Sequence, residues 1–262
     1  MISIIFLLGW AAFVYMMTII VPNLYFIPLW FVLGPIVGFI VMVLFLLLHF
    51  PLFKITKYDN KYKYFLSRST ARWVNIFPLR LKIQVEGLKN IPKDGPLTIY
   101  ANHKSYADPF IIFEMMKRPT TFTPKMSVYK APLIGSWLKY LGAFPIDRSS
   151  DRNTARAMVD AIKVVKSGMA MAIFPEGGIK DRNDIKMVAM RAGAYRVAMK
   201  AEANLLPVSI HGSTQIKHRA PFRRTKIHVV IHPVVYYEDI KKLSTGEVAD
   251  KIFNIINESL QK

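Results

Sequence analysis

Asn102-His103-Lys104-Ser105-Tyr106-Ala107-Asp108-Pro109 places a histidine five positions before an aspartate. The apolar run Leu97 to Tyr100 ends just before it. If that run is a strand and the segment from Pro109 a helix, the loop between them lets the carboxylate fold back onto the imidazole. There it fixes the tautomer and stabilises the imidazolium. A neutral histidine held in this way is a base toward an alcohol. The spacing alone is weak, because roughly one chain in four or five with this composition would carry it by chance. The plain reading is a solvated or hydrogen-bonded loop histidine. Other chemistries are excluded more firmly. The chain has no cysteine, which removes thiolate nucleophiles, disulfides and Cys-ligated zinc. No Gly-x-Ser-x-Gly nucleophile elbow occurs either. His228 and His232 on one strand would stand about 13 Å apart, too far to share an ion. His211 and His218 read as polar loop residues, and no metal is expected.

Three further segments carry polar residues at the ends of apolar runs: Gly142-Ala143-Phe144-Pro145-Ile146-Asp147-Arg148, Phe174-Pro175-Glu176-Gly177-Gly178 and Leu206-Pro207-Val208-Ser209-Ile210. Taken singly, each has an ordinary explanation. Arg148 could face Asp147 or Asp151, Glu176 could start a helix, and Pro207 could punctuate an edge strand. Taken together and in this order, with Asn102-His103-x4-Asp108 first and Arg191-Ala192-Gly193-Ala194 between the last two, they resemble the signature blocks of the glycerolipid acyltransferase family. Its best-known members acylate 1-acylglycerol 3-phosphate (lysophosphatidic acid). The resemblance spans about Leu81 to Val235. One departure stands out: the third block of the family continues from Glu-Gly into Thr-Arg-Ser, whereas Ile179 here occupies the usual Arg position. Lys180 or Arg182 could supply that cation, although Lys binds phosphate as a point charge where Arg offers a fork.

The resemblance implies a mechanism. His103, oriented by Asp108, takes the proton of the acceptor hydroxyl as its oxygen attacks the thioester of acyl-ACP or acyl-CoA. Arg148 with Lys180 or Arg182 binds the acceptor phosphate. Glu176, Gly177 and Gly178 shape the backbone beside it, with Asn102 also at the site, and Lys125 stabilises the thioester oxyanion. The donor is a co-substrate and no cofactor is implied. The acceptor could instead be glycerol 3-phosphate, another lysophospholipid or a lyso-aminolipid. A lipid-binding member without activity is a further alternative.

These loops need elements to hold them. Strands are expected at Leu81 to Val85, Leu97 to Tyr100, Thr120 to Thr123, Ala143 to Ile146, Met169 to Phe174, Leu206 to Ile210 and Lys226 to Ile231. Helices are expected at Pro109 to Met116, Leu133 to Tyr140, Asn153 to Val165, Lys186 to Lys200 and Gly246 to Leu260. The alternation reads as an α/β domain. The resemblance implies a mixed, mostly parallel sheet flanked by helices. In such sheets ligands bind at the strand ends.

Before Lys54 there is no Asp, Glu, Lys or Arg. Ile2 to Val21 and Ile27 to Phe50 are each about as long as the roughly 20 residues that cross a bilayer. No basic segment precedes them and no small-residue cleavage site follows, which argues against a signal peptide. Lys54, Lys57, Lys61 and Lys63 follow, which by the positive-inside rule predicts a cytoplasmic catalytic domain on a cell-membrane anchor. Pro28, Pro35 and Gly38 leave a shallow re-entrant hairpin open. The expected organisation is a membrane hairpin over 1–53, an amphipathic linker helix over 54–80 and a catalytic domain over 81–262. The linker suits the bilayer surface and the domain surface equally. The chain has 36 Lys and Arg against 17 Asp and Glu, a formal charge of +19. On an anchored protein the basic run from His218 to Lys226 has a use against anionic phospholipid or an acidic acyl carrier protein. No groove-reading helix or stacking motif points to nucleic acid.

Overall fold

The computed structural model describes residues 1–145, 151–179, 183–187 and 190–261. Six strands form one sheet: β1 (Leu81–Glu86), β2 (Leu97–Ala101), β3 (Thr120–Phe122), β4 (Ala170–Ile173), β5 (Asn204–His211) and β6 (Thr225–Ile231), in the order β1-β6-β5-β2-β4-β3. Strands β5, β2, β4 and β3 run parallel, β6 runs antiparallel to β5, and β1 is parallel to β6. The sheet is thus mixed and mostly parallel. The C-terminal ends of β2, β3, β4 and β5 lie along the same edge as the beginnings of β1 and β6.

Both faces of the central strands are covered, so they read as continuous apolar runs rather than alternating ones. Leu97, Ile99 and Ala101 of β2 pack with Ile111 and Ile112 on one side of the sheet. Tyr100 packs on the other side with Val165, Ala198, Val248 and Ile252. The helix Thr245–Leu260 begins at a full capping box, Ser244 with Glu247, which satisfies two of its orphan N–H groups.

Helices α1 (Ile2–Ile20), α2 (Ile27–Leu48), α3 (Phe50–Ile55) and α4 (Lys61–Ile76) precede the sheet, and α5 (Asp108–Met115) follows β2. Among the described residues, two segments are long and apolar enough to cross a membrane, Ile2–Ile20 and Leu24–Ile55. They form a tight hairpin. A Cβ at Gly34 would overlap the Trp10 indole, so a small residue is what allows this approach. At the tip, Tyr25 is 91% exposed.

Helix α4 lies between the hairpin and the sheet. Its Tyr64 and Ala71 join the core beneath the sheet, while Leu66 and Trp73 pack with Ile2, Phe6 and Met42 of the apolar hairpin and Phe53 of α3. Helix α4 is thus packed against protein on two sides, while its Phe65 and Ile76 stay exposed. The N–H of Ile2 donates to Ser69 Oγ (2.9 Å), and Phe6 meets Trp73 and Phe77. The C-terminal half of α4 therefore runs alongside the start of α1.

Three details differ from expectation. Lys63 is fully buried and is no interfacial charge. Its ammonium donates to the carbonyls of Phe53 (2.8 Å), Thr56 (3.1 Å) and Tyr140 (2.9 Å), and burial pulls its pKa below the ordinary value, with Asp59 opposing. Lys63→Met should therefore lower stability by about 2–3 kcal/mol, since one buried and two partly buried acceptors lose a charged donor. A thermal melt in detergent measures this, and an unchanged Tm would mean that water serves these carbonyls equally well. Second, Ala143–Pro145, the described part of the expected strand to Ile146, forms no strand. Pro145 has no N–H to contribute, and only Phe144 N–H reaches Phe122 O (3.4 Å). Third, the helix expected from Lys186 begins only with a 3-10 turn at Ala192–Tyr195 and continues as Arg196–Ala201. The Met187 N–H is taken by the Asn257 side chain (2.9 Å) and the Arg191 N–H by Pro175 O (3.1 Å), so neither enters a helical ladder.

Candidate active site

The loop after β2 is fixed at both ends. Asn102 is fully buried; its Nδ2 donates to Ile210 O (2.9 Å) and its Oδ1 accepts from Ile210 N–H (2.8 Å). The side chain thus adds one more rung between β2 and β5 beyond their last backbone pair, Ala101 with Val208. At the other end Asp108 opens α5, with Pro109 immediately after it. A proline needs no N–H in the first turn, and a carboxylate there is favoured by the helix dipole.

Between these ends the loop folds around Asp108. Its Oδ2 accepts from the N–H groups of Lys104 and Ser105 (2.8 Å each) and lies 3.0 Å from His103 Nδ1. Oδ1 is buried and has no hydrogen-bond partner among the described residues. Concentrating every donor on one oxygen while leaving the other bare is a departure from ordinary polar satisfaction. A carboxylate only accepts, so the ring proton belongs on Nδ1 and the lone pair on Nε2. Phe174 stacks on the imidazole at 4.2 Å between centroids. The His103 side chain is 14% exposed, which leaves a narrow approach to the ring. The arrangement can accept a proton at Nε2 and hold the resulting charge against Asp108.

Glu176 ties this loop to the end of β4. Fully buried, it accepts the His103 N–H at Oε1 (2.7 Å) and meets Lys104 Nζ at Oε2 (3.4 Å). Both members of this ion pair are essentially inaccessible to water. The chain then turns through Gly177 and Gly178, with φ of 70° and 142°, values that suit only glycine at low cost. A Cβ at Gly177 would stand 2.8 Å from Arg191 Nε. The Arg191 guanidinium therefore lies across the Glu176-Gly177 backbone, and the residue is exposed.

His103, Asp108, Asn102, Glu176, Gly177 and Gly178 are thus brought into one constellation. Lys125 caps the turn Met126–Tyr129 just after β3. It is exposed on the same sheet edge, about 10 Å from β2 by two strand spacings. Arg148, Lys180 and Arg182 lie outside the described residues. Arg191 was legible only as part of an Arg-x-Gly segment, and nothing in the spacing announced that it folds back onto Gly177. His228 pairs with Glu86 (2.9 Å) and His232 with Ser209 (2.8 Å), so the two face separate partners. His211 closes β5 and sits 5.4 Å from His228 between ring centroids. Burial first, and His228 second, hold its pKa below the ordinary value.

The chain is similar to proteins of known activity. Residues 82–211 match the family described as Acyltransferase. The 1-acyl-sn-glycerol-3-phosphate acyltransferase of Borreliella burgdorferi is 29% identical over 191 residues, covering 72% of this chain and 74% of that protein. A chloroplastic 1-acyl-sn-glycerol-3-phosphate acyltransferase of Arabidopsis thaliana is 26% identical over 68% of this chain, which spans half of that longer protein. The crystal structure of the 1-acyl-sn-glycerophosphate (LPA) acyltransferase of Thermotoga maritima superposes with a TM-score of 0.62 at 25% identity. It covers 77% of this chain and 78% of its own. The chain belongs to the acyltransferase family and is an acyltransferase.

Proposed function

We propose that the protein transfers an acyl group from acyl carrier protein or coenzyme A to the free sn-2 hydroxyl of lysophosphatidic acid, giving phosphatidic acid. The carrying observation is the His103–Asp108 pair, whose contact through Nδ1 leaves the Nε2 lone pair on a ring that is 14% exposed. Nε2 takes the hydroxyl proton as the acceptor oxygen attacks the thioester carbonyl. The tetrahedral intermediate then expels the thiolate, which recovers the proton from His103. One ester bond forms, one thioester bond breaks, and no acyl-enzyme is needed. Lys125 is assigned to the oxyanion.

The acceptor phosphate is assigned to Arg191, whose guanidinium rests on the turn that follows Glu176, with Arg148, Lys180 and Arg182 as further cations. Arg191→Gln should raise the acceptor KM by about 10- to 100-fold, the worth of a charge-assisted contact, and leave the donor KM unchanged. Equal KM values for variant and wild type would remove Arg191 from the site.

The hairpin is read as the anchor in the cell membrane. Exposed Lys54, Lys57 and Lys61 at its base favour a cytoplasmic catalytic domain. Thioester consumption by the purified protein in detergent, with either donor and a panel of acceptors, tests the whole reading. The panel includes glycerol 3-phosphate, other lysophospholipids and a lyso-aminolipid, because Ile179 replaces the arginine usual in the third block. Transfer to one of those and not to lysophosphatidic acid would reassign the acceptor.

A further inference from the structure

A cleft of about 430 Å³ lies at the beginnings of β1 and β6, lined by Lys82, Gln215, Arg219, Arg224, Thr225 and Lys226. Four of these six residues are cations and none is an acid. Lys82 and Lys226 are register partners on neighbouring parallel strands, so their side chains leave the sheet on the same face. Arg219 is held across the turn before β6, donating from Nε and Nη2 to Arg224 O (3.0 and 2.9 Å). The carboxylate on this part of β1, Glu86, lies four residues further along, about 13 Å away by strand rise, and is engaged by His228. Among the described residues the lining of the cleft is therefore a positive field, which recruits an anion.

Its position indicates which anion. Phe6 of α1 meets Phe77 at 5.1 Å. Three residues later, Arg80 donates from Nη1 to Phe222 O (2.9 Å) and accepts the Thr225 N–H (3.2 Å). The rim of the cleft thus begins within about 10 Å of chain from a residue that touches the first apolar helix. Phe222 is 83% exposed and is followed by Arg223 and Arg224. An aromatic side chain held in water among cations matches the chemistry of a bilayer interface.

We propose that this cleft binds the phosphate of an anionic bilayer phospholipid, with Phe222 entering among the headgroups. Occupancy brings the sheet edge that carries His103 against the membrane. The proposal rests on the reading of the hairpin as a membrane anchor. An acidic carrier protein would meet the same cations, but the exposed Phe222 and the adjoining apolar helix favour lipid.

The full-length protein reconstituted in phosphatidylcholine vesicles, with and without phosphatidylglycerol, provides the test. In a Phe222→Trp variant, tryptophan emission above the wild-type background should be quenched by brominated acyl chains when phosphatidylglycerol is present. That reading needs no catalysis, and quenching of Trp10 and Trp30 reports hairpin insertion separately. In Arg224→Gln/Lys226→Gln the stimulation of acyl transfer by phosphatidylglycerol should fall roughly tenfold or more, given two cations near an anionic surface. Lys89→Gln/Lys93→Gln, which removes two exposed cations beyond the far end of β1, should keep it. Equal loss in both double variants would reduce the effect to net charge and overturn the site. Retained lipid stimulation together with a loss only for the carrier-protein donor would make the cleft a donor dock and overturn it equally.

Discussion

His103→Ala should lower kcat by about 10²- to 10⁴-fold, the range that general base catalysis contributes, while the protein still folds and stays with the membrane. The expectation follows from geometry. The ring contributes one polar contact, to Asp108, and that contact anchors the proton whose placement frees Nε2. Asp108→Ala should lose nearly as much, because the same Oδ2 also accepts the N–H groups of Lys104 and Ser105. Single-turnover transfer in detergent, with Tm measured alongside, separates chemistry from folding. A His103→Ala protein that kept most of its rate would sink the mechanism.

The second large effect concerns a buried ion pair. Lys104 and Glu176 are buried and 3.4 Å apart. Removing one partner leaves the other charge in the interior, which typically destabilises by about 3–5 kcal/mol. Lys104→Met and Glu176→Gln should each lower stability, and the double variant should recover much of it because neither buried charge remains. Activity distinguishes positioning from packing. Glu176 also holds the His103 N–H, so the recovered double variant should remain well below wild type in kcat with an ordinary acceptor KM. Wild-type kcat in that variant would assign the pair to stability alone.

Six of the seven expected strands, the pairing of His103 with Asp108 and the two long apolar helices were legible because each follows from a local rule: apolar runs ended by polar residues, donor–acceptor chemistry of His with Asp, and an uncharged stretch long enough for a bilayer. What escaped the sequence depends on contacts between distant segments. Lys63 looks like any flanking cation until three carbonyls from separate segments converge on it. The segment from Lys186 has helical periodicity, yet Asn257, seventy positions further on, takes one of its N–H groups. Arg191 gains interest only because two positive-φ glycines turn the chain beneath its guanidinium. Asn102, placed at the site by the sequence, has both polar atoms of its carboxamide paired with Ile210, a pairing across more than a hundred residues.

Helix α4 contributes side chains to two hydrophobic cores at once. Anchor and enzyme are for that reason not modular parts joined by a tether. A water-soluble version for biochemistry cannot be made by trimming the chain after the hairpin, since Leu66 and Trp73 would face solvent along one stripe of α4. It would require resurfacing that stripe with polar side chains while leaving Tyr64 and Ala71 untouched.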